Sequence, residues 1–251
     1  MSNVVAALSD QPADLAAIAE FSKAMETRVS DAEFALIAND LALKSARVKA
    51  LFSDLSQGGD RHVVRAILSE TFISRRKLRE IEAIVTDTIL AEALVELGDN
   101  TKSPIERASK LRYWLDPVGE AARDLPFELL HFLDPQRYCL ATSWVWNPIT
   151  ETGAIKLLLE ENFDLFGDGE LDDFVRLDFA IDYVTQTAKA AGHLPADLDG
   201  VFAMDTFLAG VYAIYMSTVL EMRMTKEFNK ILPPLNQLMR RLLGIYRKEV
   251  N

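Results

Sequence analysis

An all-α fold, an irregular orthogonal array of about ten or more helices with no significant sheet, is what this sequence predicts. Three observations carry it. Apolar residues recur at three- and four-residue steps along most of the chain. Capping residues and prolines mark helix starts many times over. No segment alternates apolar and polar residues for long enough to make a strand.

The elements follow in order. Asp10 and Pro12 signal a first helix start, and residues 13–55 are rich in Ala, Leu, Glu and Lys. Ser30 with Glu33 three residues later reads as a capping box that opens a second helix. Phe34, Ile37, Leu41, Val48, Leu51, Phe52 and Leu55 form one stripe of that helix, and Gln57-Gly58-Gly59-Asp60 stops it. Residues 63–72 and 78–97 give two more helices, or one bent at Ser74. Residues 98–104 are the most polar connector. They mark a subdomain boundary, with long helices in 1–97 and shorter elements in 104–251, inside a single domain spanning 1–251.

Short helices are expected next, over 104–115, 117–123, 126–133 and 135–141. Leu111-Arg112-Tyr113-Trp114-Leu115-Asp116-Pro117 is echoed by Leu129-Leu130-His131-Phe132-Leu133-Asp134-Pro135. Asp-Pro is a helix-start signal, so Asp116 and Asp134 are expected to be N-caps. Residues 150–166, 171–191, 201–224 and a last segment after Pro233-Pro234 complete the expected helices. The many proline corners in 104–148 argue against a simple up-down bundle.

An apolar fraction of 49% with 26% charged residues is that of an ordinary globular chain. The single cysteine, Cys139, allows no intrachain disulfide and fits a reducing, cytoplasmic compartment. The first eight residues lack the basic region of a signal peptide. The apolar run from Phe207 to Leu220 is about fourteen residues, short of the roughly 20 that span a bilayer, so no membrane partner is expected.

Charge is uneven. The chain carries net −11, with 3 basic and 13 acidic side chains in residues 150–210 and 7 basic and 3 acidic in 211–251. An acidic block followed by a basic end is self-complementary, within one chain or between copies in a homo-oligomer. An acidic protein overall is a poor ligand for nucleic acid or anionic lipid.

The densest chemistry lies between Trp114 and Trp146. His131, Arg137, Tyr138, Trp144 and Trp146 are the expected partner- or ligand-binding residues, because Trp, Tyr and Arg dominate contact surfaces. Trp144 and Trp146 point apart on a helix, so at least one indole is expected on display. Arg75, Arg76, Lys77 and Arg79 form the tight basic cluster that a nucleic-acid reading would use, with Arg240-Arg241 and Arg247-Lys248 as a second.

Other patterns fail on chemistry. Glu128-x-x-His131 has di-iron spacing but no second copy of the motif. Residues 164–175 match a calcium loop at Asp164, Asp168 and Gly169, yet Val175 stands where the closing Glu is needed. Cys139, with Arg137 two residues before it, reads as a small apolar core residue. The stretch Leu133-Asp134-Pro135-Gln136-Arg137-Tyr138 resembles the helical segments of helix-hairpin-helix DNA-repair glycosylases. That family's Gly-x-Gly hairpin and Lys…Asp pair have no counterpart here, so the resemblance carries over neither activity nor residue. No hydrolase elbow, Walker loop or dinucleotide fingerprint occurs. The sequence therefore points to a non-catalytic adaptor or accessory protein with a protein partner, no cofactor and no metal. Nucleic-acid association through residues 75–79 is the first alternative. An enzyme or ligand pocket near His131, Arg137 and Trp144 is the second.

Overall fold

The computed structural model describes residues 12–194, 200–223 and 233–245. Among them are ten α-helices: α1 (Leu15–Glu26), α2 (Asp31–Ser56), α3 (Arg61–Ser69), α4 (Phe72–Ile84), α5 (Asp87–Gly98), α6 (Pro104–Leu115), α7 (Glu120–Leu133), α8 (Glu170–Ala190), α9 (Val201–Arg223) and α10 (Leu235–Leu242). Short 3₁₀ turns lie at Asp116–Val118 and Ile155–Leu158. The described residues hold no strand, only two isolated bridges, so the all-α expectation stands.

Local signals set several boundaries. The Ser30–Glu33 capping box is present, with Ser30 Oγ accepting from Glu33 N and the Glu33 carboxylate accepting from Ser30 N. A second box, Ser103–Glu106, opens α6 with Pro104 in its first turn. Asp14 caps α1, and Asp10, the expected start, lies outside the described residues. The break expected at Ser74 falls instead at Glu70–Thr71, with another at Val85–Thr86.

The Asp-Pro corners are a correction. Asp116 ends α6 in helical geometry and Asp134 ends α7, and neither caps a following helix. Residues 120–133 form one helix that runs through Pro126, although Pro126 has no N–H for the carbonyl of Ala122. Burial explains the tolerance. From Asp124 to Phe132 every residue of α7 is buried, so packing outweighs the lost bond.

Residues 150–166 correct a second expectation, because they are not helical beyond the short 3₁₀ turn. Asn147 and Thr152 pair across a tight turn, and Ala154 N and Ile155 N donate to the carbonyls of Trp144 and Val145. Gly153 makes this fold-back work. Its φ is +146°, and a side-chain carbon there would fall 2.3 Å from the Val145 carbonyl oxygen.

The core is built around α2, α7 and α9. Helix α7 packs against α2, α4, α5 and α6, while α9 packs against α1, α2 and α10. By length and composition Val201–Leu220 is apolar enough to cross a membrane, a longer stretch than the sequence reading allowed, and 67% of it is buried by this packing. Helix α10 lies along α2 on a polar seam. Asn236 donates to Glu33 at 2.7 Å, Arg240 to Asp40 at 2.6 Å, and Lys44 Nζ to the Leu243 carbonyl at 2.8 Å.

Candidate functional site

The residues expected to form a contact surface are brought together, but in the interior. His131, Tyr138, Trp144 and Trp146 are all buried, the two indoles at 8% and 9% exposure. The expectation that one indole is displayed is thereby corrected. Residues 144–155 fold back as a loop instead of a helix, so the 100° step between helical neighbours does not apply. Trp144 packs beside Tyr212 at 6.1 Å between ring centroids, and Trp146 beside Phe166 at 5.8 Å. Only Arg137 of the set is exposed, its guanidinium 5.3 Å from the Tyr138 ring.

This interior is a chain of satisfied polar groups. His131 Nδ1 donates to the Tyr138 carbonyl at 2.8 Å, and Nε2 faces Asp205 Oδ2 at 2.9 Å. The Tyr138 carbonyl only accepts, so Nδ1 carries a proton, and an ionised Asp205 favours a second proton on Nε2. Burial disfavours that charge, but Asp205 and the two hydrogen bonds outweigh it and hold the pKa above the usual histidine value. Tyr138 OH accepts from Arg107 Nη1 at 2.9 Å, and Arg107 Nε donates to the Leu97 carbonyl at 2.7 Å. Those bonds join α5, α6 and the turn after α7.

A second buried pair lies one turn earlier on α7. Lys44 Nζ contacts Glu128 Oε1 at 2.8 Å and sits 4.0 Å from the Phe132 ring centroid. Glu128 also accepts from the N–H of Phe72 at the start of α4. Burial lowers the Lys44 pKa against the pull of Glu128. Glu128 is thus committed to Lys44 and His131 to Asp205, so their di-iron spacing ties helices together and offers no metal face. Among the described residues no group of three or more His, Cys, Asp or Glu could hold a metal ion. In the calcium-like run, Asp172 and Asp173 accept from the N–H groups of Asp168 and Gly167, closing the turn before α8.

A pocket of about 380 Å³ opens beside Cys139, Asp178 and Asp205. Burial and the neighbouring Asp178 push the Cys139 thiol well above its ordinary pKa. A thiol held protonated is not a nucleophile. His131 has no free nitrogen to act as its base. Among the described residues, the pocket expected near His131, Arg137 and Trp144 is matched by this opening on the Cys139 side, where burial raises the Asp178 pKa as well.

The basic cluster sits on the outer face of α4. Arg76 lies over the Phe72 ring at 5.4 Å, Lys77 pairs with Glu80 at 2.9 Å, and Arg75 Nε bonds the Ser69 carbonyl. Arg79 is exposed. Arg247 and Lys248 of the second cluster lie outside the described residues.

Among the described residues the exposed aromatics are Tyr113 at 73%, Phe166 at 38%, and Trp114 and Tyr215 at 36% each, and Tyr113 and Trp114 are the two that adjoin in sequence. Their rings meet edge to face, 5.2 Å between centroids and 79° between planes. Tyr113 borders a hollow of about 520 Å³ lined also by Ile105, Ser109, Arg112, Arg123 and Glu170. Arg112 pairs with Glu170 across it, linking α6 to the start of α8. The sequence held this signal. Ala108, Leu111 and Leu115 are the buried stripe of α6, and Tyr113 lies about 200° from Leu111 around the helix. Comparison with protein families, with curated proteins and with solved structures finds no match to this chain.

Proposed function

We propose that this chain is a non-catalytic adaptor or accessory protein that binds another macromolecule through the Tyr113–Trp114 edge of α6. The observation that carries the reading is the display of these two adjacent rings, packed edge to face. Large exposed aromatics are expensive in water and mark contact sites, and Trp, Tyr and Arg dominate binding hot spots. The hollow beside Tyr113 adds the two guanidiniums of Arg112 and Arg123 and two carboxylates, Asp116 and Glu170. A non-catalytic role accords with the interior, where His131, Asp205, Lys44 and Glu128 are bonded to one another.

Photo-crosslinking from position 113 in the native cell tests the reading, with exposed position 57 as the control. Discrete adducts from 113 that vanish on Trp114→Ala are expected, with none from 57. Absence of adducts at 113, or the same adducts from both positions, overturns it.

A further inference from the structure

Two described segments of the chain carry opposite charge. Residues 160–182 carry nine acidic side chains and one basic. Their ion pairs are Asp172 with Arg176 and Glu170 with Arg112. Residues 61–82 carry six basic side chains and three acidic. Here the pairs are again local: Arg65 with Glu82 at 2.8 Å and Lys77 with Glu80 at 2.9 Å, while Glu70 binds Arg47 of α2. None of these pairs joins one segment to the other.

Folding concentrates the basic side further. Gly244, three residues beyond Arg241, abuts the start of α4, where a side-chain carbon would lie 3.1 Å from Phe72 N and 3.4 Å from Glu70 O. Arg241, exposed on the last turn of α10, precedes that contact by three residues. Arg75, Arg76 and Lys77 also fall in the first two turns of α4. That is the positive end of the helix dipole, where cations cost the helix stability. On the other side Glu160, Glu161, Asp164, Asp168 and Asp182 are all exposed.

We infer that these faces are an intermolecular device: the basic corner of α3, α4 and α10 docks on the acidic approach to α8 of a second copy of the chain. A second copy uses both faces. A nucleic-acid duplex matches only the basic corner and leaves the acidic face without a partner. At physiological salt the screening length is about 8 Å, so net repulsion between copies is damped while contacting charges still attract. The inference goes beyond the aromatic contact, since Arg76, Arg79, Glu161 and Asp168 do not line the Tyr113 hollow.

Sedimentation velocity on the full chain over a concentration series tests it. The wild type associates at about 0.15 M salt and dissociates near about 1 M. Arg76→Glu with Arg79→Glu is monomeric, and so is Glu161→Lys with Asp168→Lys. Mixing the two variants in equal amounts restores association, because each keeps one native face. The neutral pair Arg76→Gln with Arg79→Gln also weakens association, and circular dichroism checks the fold of every variant. A wild type monomeric throughout overturns the inference, as do association unchanged in both reversed variants and a mixture that stays monomeric. A wild type that binds a generic duplex through Arg76 and Arg79, but not itself, assigns the basic corner to nucleic acid and also overturns it.

Discussion

His131 and Asp205, 74 residues apart, lie 2.9 Å from each other in the buried centre and join α7 to α9. The same imidazole holds the Tyr138 carbonyl and so fixes the turn that follows α7. One imidazole thus pins two central helices and the aromatic segment between them.

Nitrogen NMR on the native protein near neutral pH should find protons on both Nδ1 and Nε2 of His131. Because its folded pKa is raised above the unfolded value of 6.5, this ring contributes stability that is fully present below that value. That stability declines as pH rises through the folded pKa. A neutral single tautomer at pH 7 would sink the ion-pair assignment.

Asp124 stands in the same relation to its unfolded state. Burial raises its pKa from 3.8 to about 6, against the hydrogen bonds from Ser143. The folded chain therefore holds this proton more tightly, and its stabilising effect, complete below 3.8, is lost as pH rises to about 6. The loss is about 3 kcal/mol, since each pKa unit is worth about 1.36 kcal/mol. Denaturant midpoints from pH 4 to pH 7 should fall less in Asp124→Asn than in the wild type; equal falls would refute the assignment.

Lys44 and Glu128 should behave as a coupled pair. Lys44→Met leaves the Glu128 carboxylate buried without its cation and should cost about 3–5 kcal/mol. Adding Glu128→Gln removes that charge while keeping an acceptor for Phe72 N–H, so the double variant should recover much of the loss. A double variant as unstable as the two single losses summed would contradict the pairing.

Capping separates the true helix starts from the apparent ones. Ser103→Ala should lower stability by about 1 kcal/mol, because it opens the capping box of α6. Asp116→Ala should stay within about 0.5 kcal/mol, because Asp116 is exposed and caps nothing. Equal thermal shifts in the two variants would restore the Asp-Pro corner.

What the sequence made legible was local. The apolar steps from Phe34 to Leu55 and the Ser30–Glu33 box define α2, since each lies within one or two turns of helix. The misread stretches depend on distant partners. Pro126 sits in a helix because α2, α4, α5 and α6 bury α7 around it. Residues 150–166 leave the helix because Gly153 folds the chain back on Val145. Trp144 and Trp146 look like surface residues under a helical reading and become core once that fold-back is made. Glu128 as the partner of Lys44, 84 residues away, has no local signal. Tyr113 had one, in its angle from the buried stripe of α6.

The central claim is that the 131–146 cluster is interior and that contact is offered at Tyr113 and Trp114. Fluorine NMR on 5-fluorotryptophan-labelled protein with a soluble paramagnetic probe tests it most directly, because it reads all three indoles in one sample. The Trp114 resonance should broaden strongly while Trp144 and Trp146 stay sharp. Broadening of Trp144 or Trp146 equal to that of Trp114 would contradict the account.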